Sequence, residues 1–165
     1  MNKGKPVIEA DFCGVRMQYH ADASLYLPES STLLVSDLHL EKGKAQSKAA
    51  PLPRFDTSEG IAKLSAAIAR TNAEEVIFLG DSFHTNLHAF QLPVIFRQQL
   101  LDLAKDRAFI WITGNHDPDL PEYLPGQIVP NYTASGLYLT HQIGEDEAKI
   151  SGLICGHYHP KARIA

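Results

Sequence analysis

The amino-acid sequence predicts an α/β fold whose sheet is at least partly parallel. Three apolar runs typical of buried strands begin at Thr32, Glu75 and Ala108. Between them lie two segments whose apolar residues recur at helical spacing. The resulting order, strand–helix–strand–helix–strand, is typical of βαβ units, in which neighbouring strands run parallel. With 165 residues, the chain is expected to form one domain, residues 1–165, with a sizeable core.

The segments that flank these parallel units predict antiparallel and irregular structure. Residues 6–12 and 15–19 alternate loosely around Cys13-Gly14, which predicts a hairpin at the edge of the sheet. Residues 118–130 are rich in proline and acidic side chains and predict a surface loop. Two further strands are expected at residues 136–140 and 150–155.

Two amphipathic helices are expected to cover the sheet. The first begins near residues 56–59, which carry capping signals. Its apolar stripe is Ile61, Leu64, Ala67 and Ile68. The second spans residues 94–105. Its apolar residues are Val94, Leu100, Leu101 and Leu103.

Composition narrows the class of protein. The net charge of −4 gives no global positive field of the kind that marks nucleic-acid or anionic-membrane binding, although an enzyme with bound metal ions remains compatible with it. Two cysteines, Cys13 and Cys155, make neither a disulfide framework nor a close-spaced thiolate pair. No apolar run is long enough for a signal peptide or a membrane span, so a cytoplasmic location is expected.

Ligand-type side chains follow each of the five predicted strands. In chain order they are Asp37 and His39; Asp81; Asn115, His116 and Asp117; His141; and His157 and His159. Ligands of parallel α/β sheets bind outside the carboxyl ends of the strands, so we expect these side chains to meet at one edge. Scattered structural histidines would need five coincidences of position to give the same pattern.

Three other polar features have a functional and a structural interpretation. The loop after His39 is basic and proline-punctuated, and it either faces substrate phosphate or is simply solvated. Its cations are Lys42, Lys44, Lys48 and Arg54. His84 is a candidate for lining the pocket and contacting substrate, whereas His20 and His88 are expected at the surface.

The motifs together resemble a known family. Asp37-Leu38-His39, Gly80-Asp81, Gly114-Asn115-His116-Asp117, His141 and Gly156-His157-Tyr158-His159 are similar to the motif set of the calcineurin-like metallophosphoesterases. The residues that flank these motifs, in segments 36–43, 79–84 and 156–160, resemble those of the bacterial ligase-associated branch. Members of that branch are encoded beside an ATP-dependent DNA ligase, a helicase and an exonuclease of a DNA repair set. The resemblance covers the chain from Thr32 onward.

The resemblance implies an αββα sandwich holding two divalent metal ions. Carried over, one metal would be bound by Asp37, His39 and His159. The other would be bound by Asn115, His141 and His157, with Asp81 bridging. Family members usually continue after His159 with further strands of the second sheet, and these are expected to be absent from this chain.

The chemistry of these residue types agrees with that division. Carboxylate, imidazole and amide ligands without thiolate fit Mn²⁺ best, with Fe or Zn²⁺ as alternatives. Two ions roughly 3.5–4 Å apart can share a hydroxide that attacks a phosphodiester in line. His116 is expected to act as general acid or to stabilise transition-state charge, with Asp117 orienting its imidazole. The alternative is that His116 only packs.

Three functions remain open at this stage. The first is a phosphodiesterase or endonuclease acting on DNA in repair, functionally associated with a ligase, a helicase and an exonuclease. The second is a phosphoesterase for a small nucleotide or another small phosphate ester. The third is a non-enzymatic scaffold, which lost ligands would reveal, and every expected ligand is present.

Overall fold

The computed structural model describes residues 7–41, 55–145 and 147–159. Within them, seven strands form one sheet in simple chain order, and three strands form a second sheet. The strands of the large sheet are β1 (Ile8–Phe12), β2 (Val15–Tyr19), β3 (Leu25–Leu27), β4 (Thr32–Val35), β5 (Glu75–Leu79), β6 (Ala108–Ile112) and β7 (Gln127–Val129). The small sheet contains β8 (Asn131–Ala134), β9 (Leu137–Thr140) and β10 (Leu153–Cys155).

Strand pairing confirms the predicted mixture of directions. β1 and β2 form the expected hairpin, in which Ile8 pairs with Tyr19 and Phe12 with Val15. β3 is antiparallel to β4, and from β4 to β7 all neighbours are parallel. In the small sheet, β9 is antiparallel to β8 and parallel to β10. The carboxyl ends of β4, β5 and β6 therefore lie at the same edge.

The three central strands are buried on both faces. Leu33, Val76, Phe78, Phe109 and Trp111 point into the cluster that also contains the helices. The alternate residues point into the cluster shared with the small sheet: Leu34, Ile77, Leu79, Ile110 and Ile112 from β4 to β6, with Ala134, Leu137 and Leu139 from β8 and β9. This period-2 alternation, apolar on both faces, explains why these strands appear in the sequence as continuous apolar runs.

The described helices are α1 (Phe55–Thr71), α2 (Asn86–Phe90) and α3 (Val94–Leu103), with short 3₁₀ turns at Pro28–Ser30 and Glu147–Lys149. In α1, the predicted stripe is buried, with each of its four residues at most 5% exposed. In α3 the predicted apolar residues divide: Leu100 is buried and Leu103 packs against the core, whereas Val94 and Leu101 are exposed. Phe96 and Leu100, one turn apart, are buried, whereas Val94 is 77% exposed and Leu101, two turns from Val94, lies on the same exposed side.

The prediction of a plain surface loop over residues 118–130 is also wrong. This segment contains β7, which adds a parallel edge strand beside β6. Leu120 and Leu124 are buried against the core, and the Trp111 indole Nε1 donates a hydrogen bond to the carbonyl of Pro125 at 2.7 Å. The sequence shows no strand pattern here because β7 is only three residues long, and the buried contacts of the segment come from isolated leucines.

The layers match a metallophosphoesterase sandwich, with helices on one face of the large sheet and the small sheet on the other. The outer helical layer of the expected αββα order is not present in residues 7–41, 55–145 and 147–159. The expectation about strands after His159 concerns residues 160–165, which lie outside the described part. In that part, no helix is both long enough and apolar enough to cross a membrane.

Candidate metal centre

The loops that follow β4 and β5 are fastened to each other by backbone hydrogen bonds. The amide of Asp37 donates to the carbonyl of Gly80 at 3.2 Å, and that of His39 donates to the carbonyl of Asp81 at 3.0 Å. The amide of Leu40 continues the series, donating to the carbonyl of Ser82 at 2.9 Å. The parallel pairing thus extends beyond the strands and brings the two ligand-bearing loops together.

Backbone conformation is unusual at the same place. Asp37, His39, Asp81, His157 and His159 have φ values of 53°, 44°, 49°, 70° and 40°. A non-glycine residue in the left-handed region costs about 1–3 kcal/mol, so such residues persist where surrounding structure fixes them. This concentration of strained candidate ligands marks the edge as a site built for a specific geometry.

Two glycines allow the loops to approach this closely. A Cβ atom on Gly80, whose φ is 84°, would overlap the His141 ring. A Cβ atom on Gly114 would overlap the carboxylate and backbone of Asp81. Each glycine therefore precedes a candidate ligand because a side chain at that position would occupy the space that another ligand needs.

One group of candidate ligands comes from the first loop and the end of the chain. Asp37, His39 and His159 each offer a ligand atom, and these atoms lie within 4.8 Å of one another. Asp37 Oδ1 lies 3.3 Å from His159 Nε2 but makes no hydrogen bond within the described part of the chain. Asp37 Oδ2 accepts a hydrogen bond from the Ser36 hydroxyl, which fixes the carboxylate.

A second group is more deeply buried. Asp81, His141 and His157 also place ligand atoms within 4.8 Å of one another, and Asp81 and His141 are only 2% and 3% exposed. Asn115 joins them, because its Oδ1 lies 3.0 Å from His141 Nε2 and 2.8 Å from His157 Nδ1. The structure therefore brings together all seven residues expected to bind metal. Their role as ligands stays a prediction.

The tautomer of His141 indicates that two hydrogen-bond acceptors face each other in the second group. His141 Nδ1 lies 2.8 Å from the carbonyl of Leu79, which can only accept, so Nδ1 carries the proton. In the neutral ring, the lone pair on Nε2 then faces Asp81 Oδ1 at 3.3 Å. Two acceptors cannot stabilise each other, so this pair requires a cation or an additional proton between them. A carbonyl that fixes the far nitrogen is the usual second partner of a metal-bound histidine.

Asp117 is fully buried and connects the loops that follow β5 and β6. Its Oδ1 accepts from the amides of Asp81 and Gly114 at 3.1 and 3.0 Å, and its Oδ2 accepts from the amide of Phe83 at 2.9 Å. Burial raises the pKa of Asp117 to about 6; these amides oppose the rise, and the Asp81 charge adds to it.

The predicted orientation of the His116 ring by Asp117 is wrong. Both Asp117 oxygens are directed at backbone amides, and His116 Nδ1 instead lies 3.1 Å from the carbonyl of His84. The amide of His116 donates to Asp81 Oδ1 at 2.9 Å, so the backbone of His116 lies beside a candidate metal ligand. Its side chain is exposed, as a group that meets substrate must be.

The remaining predicted contacts divide into two sets. The His84 ring is partly buried and lies near His39 and His116, with ring centroids 6.1 and 5.7 Å away, so it lines the site. The other expected substrate contacts, Lys42, Lys44 and Arg54, and their neighbour Lys48, lie outside the described residues.

Sequence reasoning missed two supporting groups. The Ser36 hydroxyl bonds to Asp37, and the carbonyl of Leu79 fixes the His141 tautomer. Ser36 could have been noticed because it adjoins the first ligand motif. A backbone carbonyl carries no signal in the sequence, because every residue has one.

Comparisons with known proteins agree with this site. The model of the calcineurin-like phosphoesterase family matches residues 30–159, which is more than half of the chain. The crystal structure of the Pseudomonas putida nuclease MPE is similar, with 27% sequence identity and a TM-score of 0.71, over 94% of this chain and 74% of that chain. Among curated proteins, none matches this chain.

The family uses divalent metals, and the chain contributes clustered carboxylate and imidazole groups that fit them. Fold, matched region and site coincide, since the matched residues include every strand end that carries a candidate ligand. The chain belongs to the calcineurin-like phosphoesterase family and is a metal-dependent phosphoester hydrolase.

Proposed function

We propose that this protein is a binuclear metal-dependent phosphodiesterase that cleaves DNA during repair. One observation carries the proposal: a carboxylate oxygen faces an imidazole nitrogen at 3.3 Å twice, in the pairs Asp37–His159 and Asp81–His141. A divalent cation in each pair would satisfy both, as would a proton on each imidazole, and the use of divalent metals by the matched family favours the cations.

The ligand assignment follows from the two groups. Asp37, His39 and His159 would hold one ion. Asn115, His141 and His157 would hold the other, and we assign Asp81, which is grouped with His141 and His157, as the ligand shared by both. When bound, two such ions neutralise phosphoryl oxygens and acidify the attacking water. Mn²⁺ is the favoured metal because carboxylate and amide oxygens suit it, with Fe or Zn²⁺ as alternatives.

His116 supplies the proton for the leaving group. Its Nδ1 donates to the His84 carbonyl, so Nε2 is the nitrogen available to substrate. Because the His116 amide bonds Asp81 Oδ1, the ring starts beside the carboxylate assigned to both ions. A protonated Nε2 can then donate to the departing alkoxide as the phosphorus–oxygen bond breaks.

Two observations support a DNA substrate: the structural similarity to a nuclease, and the surface beside the first ligand group. A cleft of about 410 Å³ opens at Ser36 and Asp37 and runs along α1 past Lys63. A second cleft of about 880 Å³ shares Lys63 and continues to His20 and Arg70. Together they continue from Asp37 along α1, where Lys63 and Arg70 are cations that backbone phosphates could contact.

The proposal extends to context. The ligase-associated branch that the motifs resemble suggests a functional association with a DNA ligase, a helicase and an exonuclease, and we further propose a cytoplasmic location. Shared pathway, rather than direct contact, is the relation that co-encoding supports.

A small phosphate ester is the alternative substrate, and one observation favours it. The net charge is −4, and the cations beside the clefts are paired with acids. Lys63 lies 2.6 Å from Glu59, and Arg70 lies 2.7 Å from Asp22. Paired cations attract a long polyanion less strongly than free ones.

Nicking of supercoiled plasmid by the purified chain with Mn²⁺ tests the proposal, with a small chromogenic phosphodiester as the parallel substrate. We expect Mn²⁺-dependent nicking that is lost in Asp81→Asn and His116→Ala, and weakened in Lys63→Ala for plasmid only. Hydrolysis of the small diester with intact plasmid would transfer the assignment to small esters. Failure on both substrates would overturn the catalytic role.

A further inference from the structure

A third cluster of imidazoles adjoins the two ligand groups. His39, His84 and His116 each offer one ring nitrogen, and these nitrogens lie within 4.8 Å of one another. Their ring centroids are 5.2 Å apart for His39 and His116, 5.7 Å for His84 and His116, and 6.1 Å for His39 and His84. Unlike the other two groups, this one contains no carboxylate.

We propose that His39, His84 and His116 form an alternative all-nitrogen metal site that takes Zn²⁺ in preference to Mn²⁺. Three imidazoles and a solvent molecule complete the tetrahedral set that Zn²⁺ adopts with three protein ligands. Mn²⁺ prefers the carboxylate and amide oxygens of the neighbouring groups. The all-nitrogen group therefore favours Zn²⁺ over Mn²⁺ more strongly than the carboxylate-containing groups do.

His39 makes the two positions mutually exclusive. It also belongs to the group with Asp37 and His159. A neutral imidazole has one nitrogen with a lone pair, because the other carries the proton. His39 consequently serves either the carboxylate-containing group or the all-nitrogen group, and Zn²⁺ in the second displaces the ion from the first.

The three residues are fixed by the backbone in positions that suit a shared ion. The amides of His39 and His84 donate to the carbonyls of Asp81 and Leu40, at 3.0 and 3.1 Å. The amide of His116 donates to Asp81 Oδ1. All three imidazoles thus project from loops that are bonded to one another, and little chain entropy is lost when they bind one ion.

The consequence for catalysis rests on the proposed function of His116. A ring nitrogen that coordinates Zn²⁺ has no proton to give a leaving group. Excess Zn²⁺ should therefore inhibit the Mn²⁺-loaded enzyme, and His84 should determine how strongly. His88 provides a matched control, since its ring stacks on His84 at 5.8 Å but is not part of the cluster.

Calorimetric titration with ZnCl₂ tests the site without relying on activity. In full-length Asp37→Ala, whose first group is disabled, we expect two Zn²⁺ per chain: one at His141 and His157, and one in the imidazole cluster. Adding His84→Asn should remove the second ion, and adding His88→Asn should not. Because loss of even an outer-shell partner costs about 10–100-fold in metal affinity, the site should weaken by about tenfold or more. His84→Gln repeats the test if the asparagine variant is unstable.

A kinetic arm measures the Zn²⁺ concentration that halves Mn²⁺-dependent hydrolysis. The rates of each variant are normalised to its own rate without Zn²⁺. The half-inhibiting Zn²⁺ concentration should then be about tenfold higher or more in His84→Asn than in wild type, and unchanged in His88→Asn. Equal zinc binding in Asp37→Ala with and without His84→Asn would overturn the proposal. If no variant hydrolyses any phosphodiester, the proposed function fails, but the calorimetric count still decides the zinc site.

Discussion

The two ends of β4, β5 and β6 differ in how their polar groups are satisfied. At the amino end, the Glu75 carboxylate accepts hydrogen bonds from Tyr132 and Thr32, both at 3.2 Å. At the carboxyl end, the Asp81 carboxylate faces a histidine nitrogen whose own proton is directed elsewhere. The carboxylate at the amino end is satisfied by two hydroxyl donors, whereas the one at the carboxyl end needs a cation or an additional proton beside it. Glu75 is therefore a structural carboxylate, whereas we propose a functional role for Asp81 at the other end of the same strand.

Proton chemistry at the amino end fits a purely structural role. Burial raises the pKa of Tyr132, and the charge of Glu75 and the hydrogen bond to it add to the rise. The phenol therefore keeps its proton and remains a donor to Glu75 throughout the neutral range. Nothing in this pair needs a ligand to complete it.

The largest difference is expected between Asp81→Asn and Glu75→Gln. Asp81→Asn keeps an oxygen for the His116 amide but removes the negative charge that we propose is shared by two metal ions, and it should lower kcat for phosphodiester hydrolysis by about three orders of magnitude. Glu75→Gln should leave kcat unchanged and lower the free energy of unfolding by about 1 kcal/mol. Steady-state kinetics and urea denaturation measure both. Similar losses of kcat in the two variants would remove the distinction between the ends.

The next effect concerns the leaving group. His116→Asn should slow hydrolysis of an unactivated alkyl phosphodiester about a hundredfold, because the departing alkoxide needs a proton. A nitrophenyl diester, whose leaving group is a weak base, should be slowed much less. For each substrate, kcat of His116→Asn is divided by kcat of the wild type, and the two ratios are compared. An equal loss on both substrates would show that His116 does not act as the general acid.

Asp117→Ala should act on stability. The carboxylate accepts three backbone hydrogen bonds across two loops, so its removal should lower the free energy of unfolding of the metal-free protein by about 3 kcal/mol. Asp117→Asn keeps the Oδ1 acceptor and should cost less. Thermal denaturation in the presence of a chelator compares the variants. A melting temperature unchanged in Asp117→Ala would show that the loops are held by other contacts.

The smallest effect lies at Asp22, which, like Glu75, is satisfied within the protein. Burial opposes ionisation, but hydrogen bonds from Ser24 and Arg70 outweigh it and lower the pKa of Asp22 to about 2. Because this folded pKa lies below the ordinary value of 3.8, the stabilisation is present above about pH 4 and is lost as the pH falls toward 2. Since the Arg70 side chain is 37% exposed, Asp22→Asn should cost at most about 1 kcal/mol at pH 6.

Urea denaturation of wild type and Asp22→Asn at pH 6 and at pH 2.5 checks this pH dependence. The difference between the two proteins should shrink at the lower pH. If the difference in free energy of unfolding were the same at both pH values, the effect would come from packing of the side chain and not from its charge.

The sequence predicted the elements whose burial is periodic. β5 spans residues 75–79 as expected, and the apolar stripe of α1 is buried, because both are determined by packing on one sheet. β7 escaped prediction because three residues at an edge leave no periodic pattern. The exposed face of α3 escaped because apolar residues occur on both of its sides, and only tertiary packing selects Phe96 and Leu100.

The site divides in the same way. Residues at strand ends could be expected to meet because parallel strands share an edge. The role of Asp117 could not be predicted, because its partners are backbone amides, two of them more than 30 residues away, and amides have no sequence signature. For the same reason the His84 carbonyl, rather than Asp117, emerged as the partner of His116 only from the structure.

We propose that two divalent cations complete the site at the carboxyl ends of β4, β5 and β6. Anomalous scattering at the manganese edge, from crystals of the full chain grown with Mn²⁺, tests it most directly. We predict two peaks roughly 3.5–4 Å apart. One should contact Asp37, His39 and His159, and the other Asn115, His141 and His157, with Asp81 between them. A single peak, or peaks away from these side chains, would contradict the account.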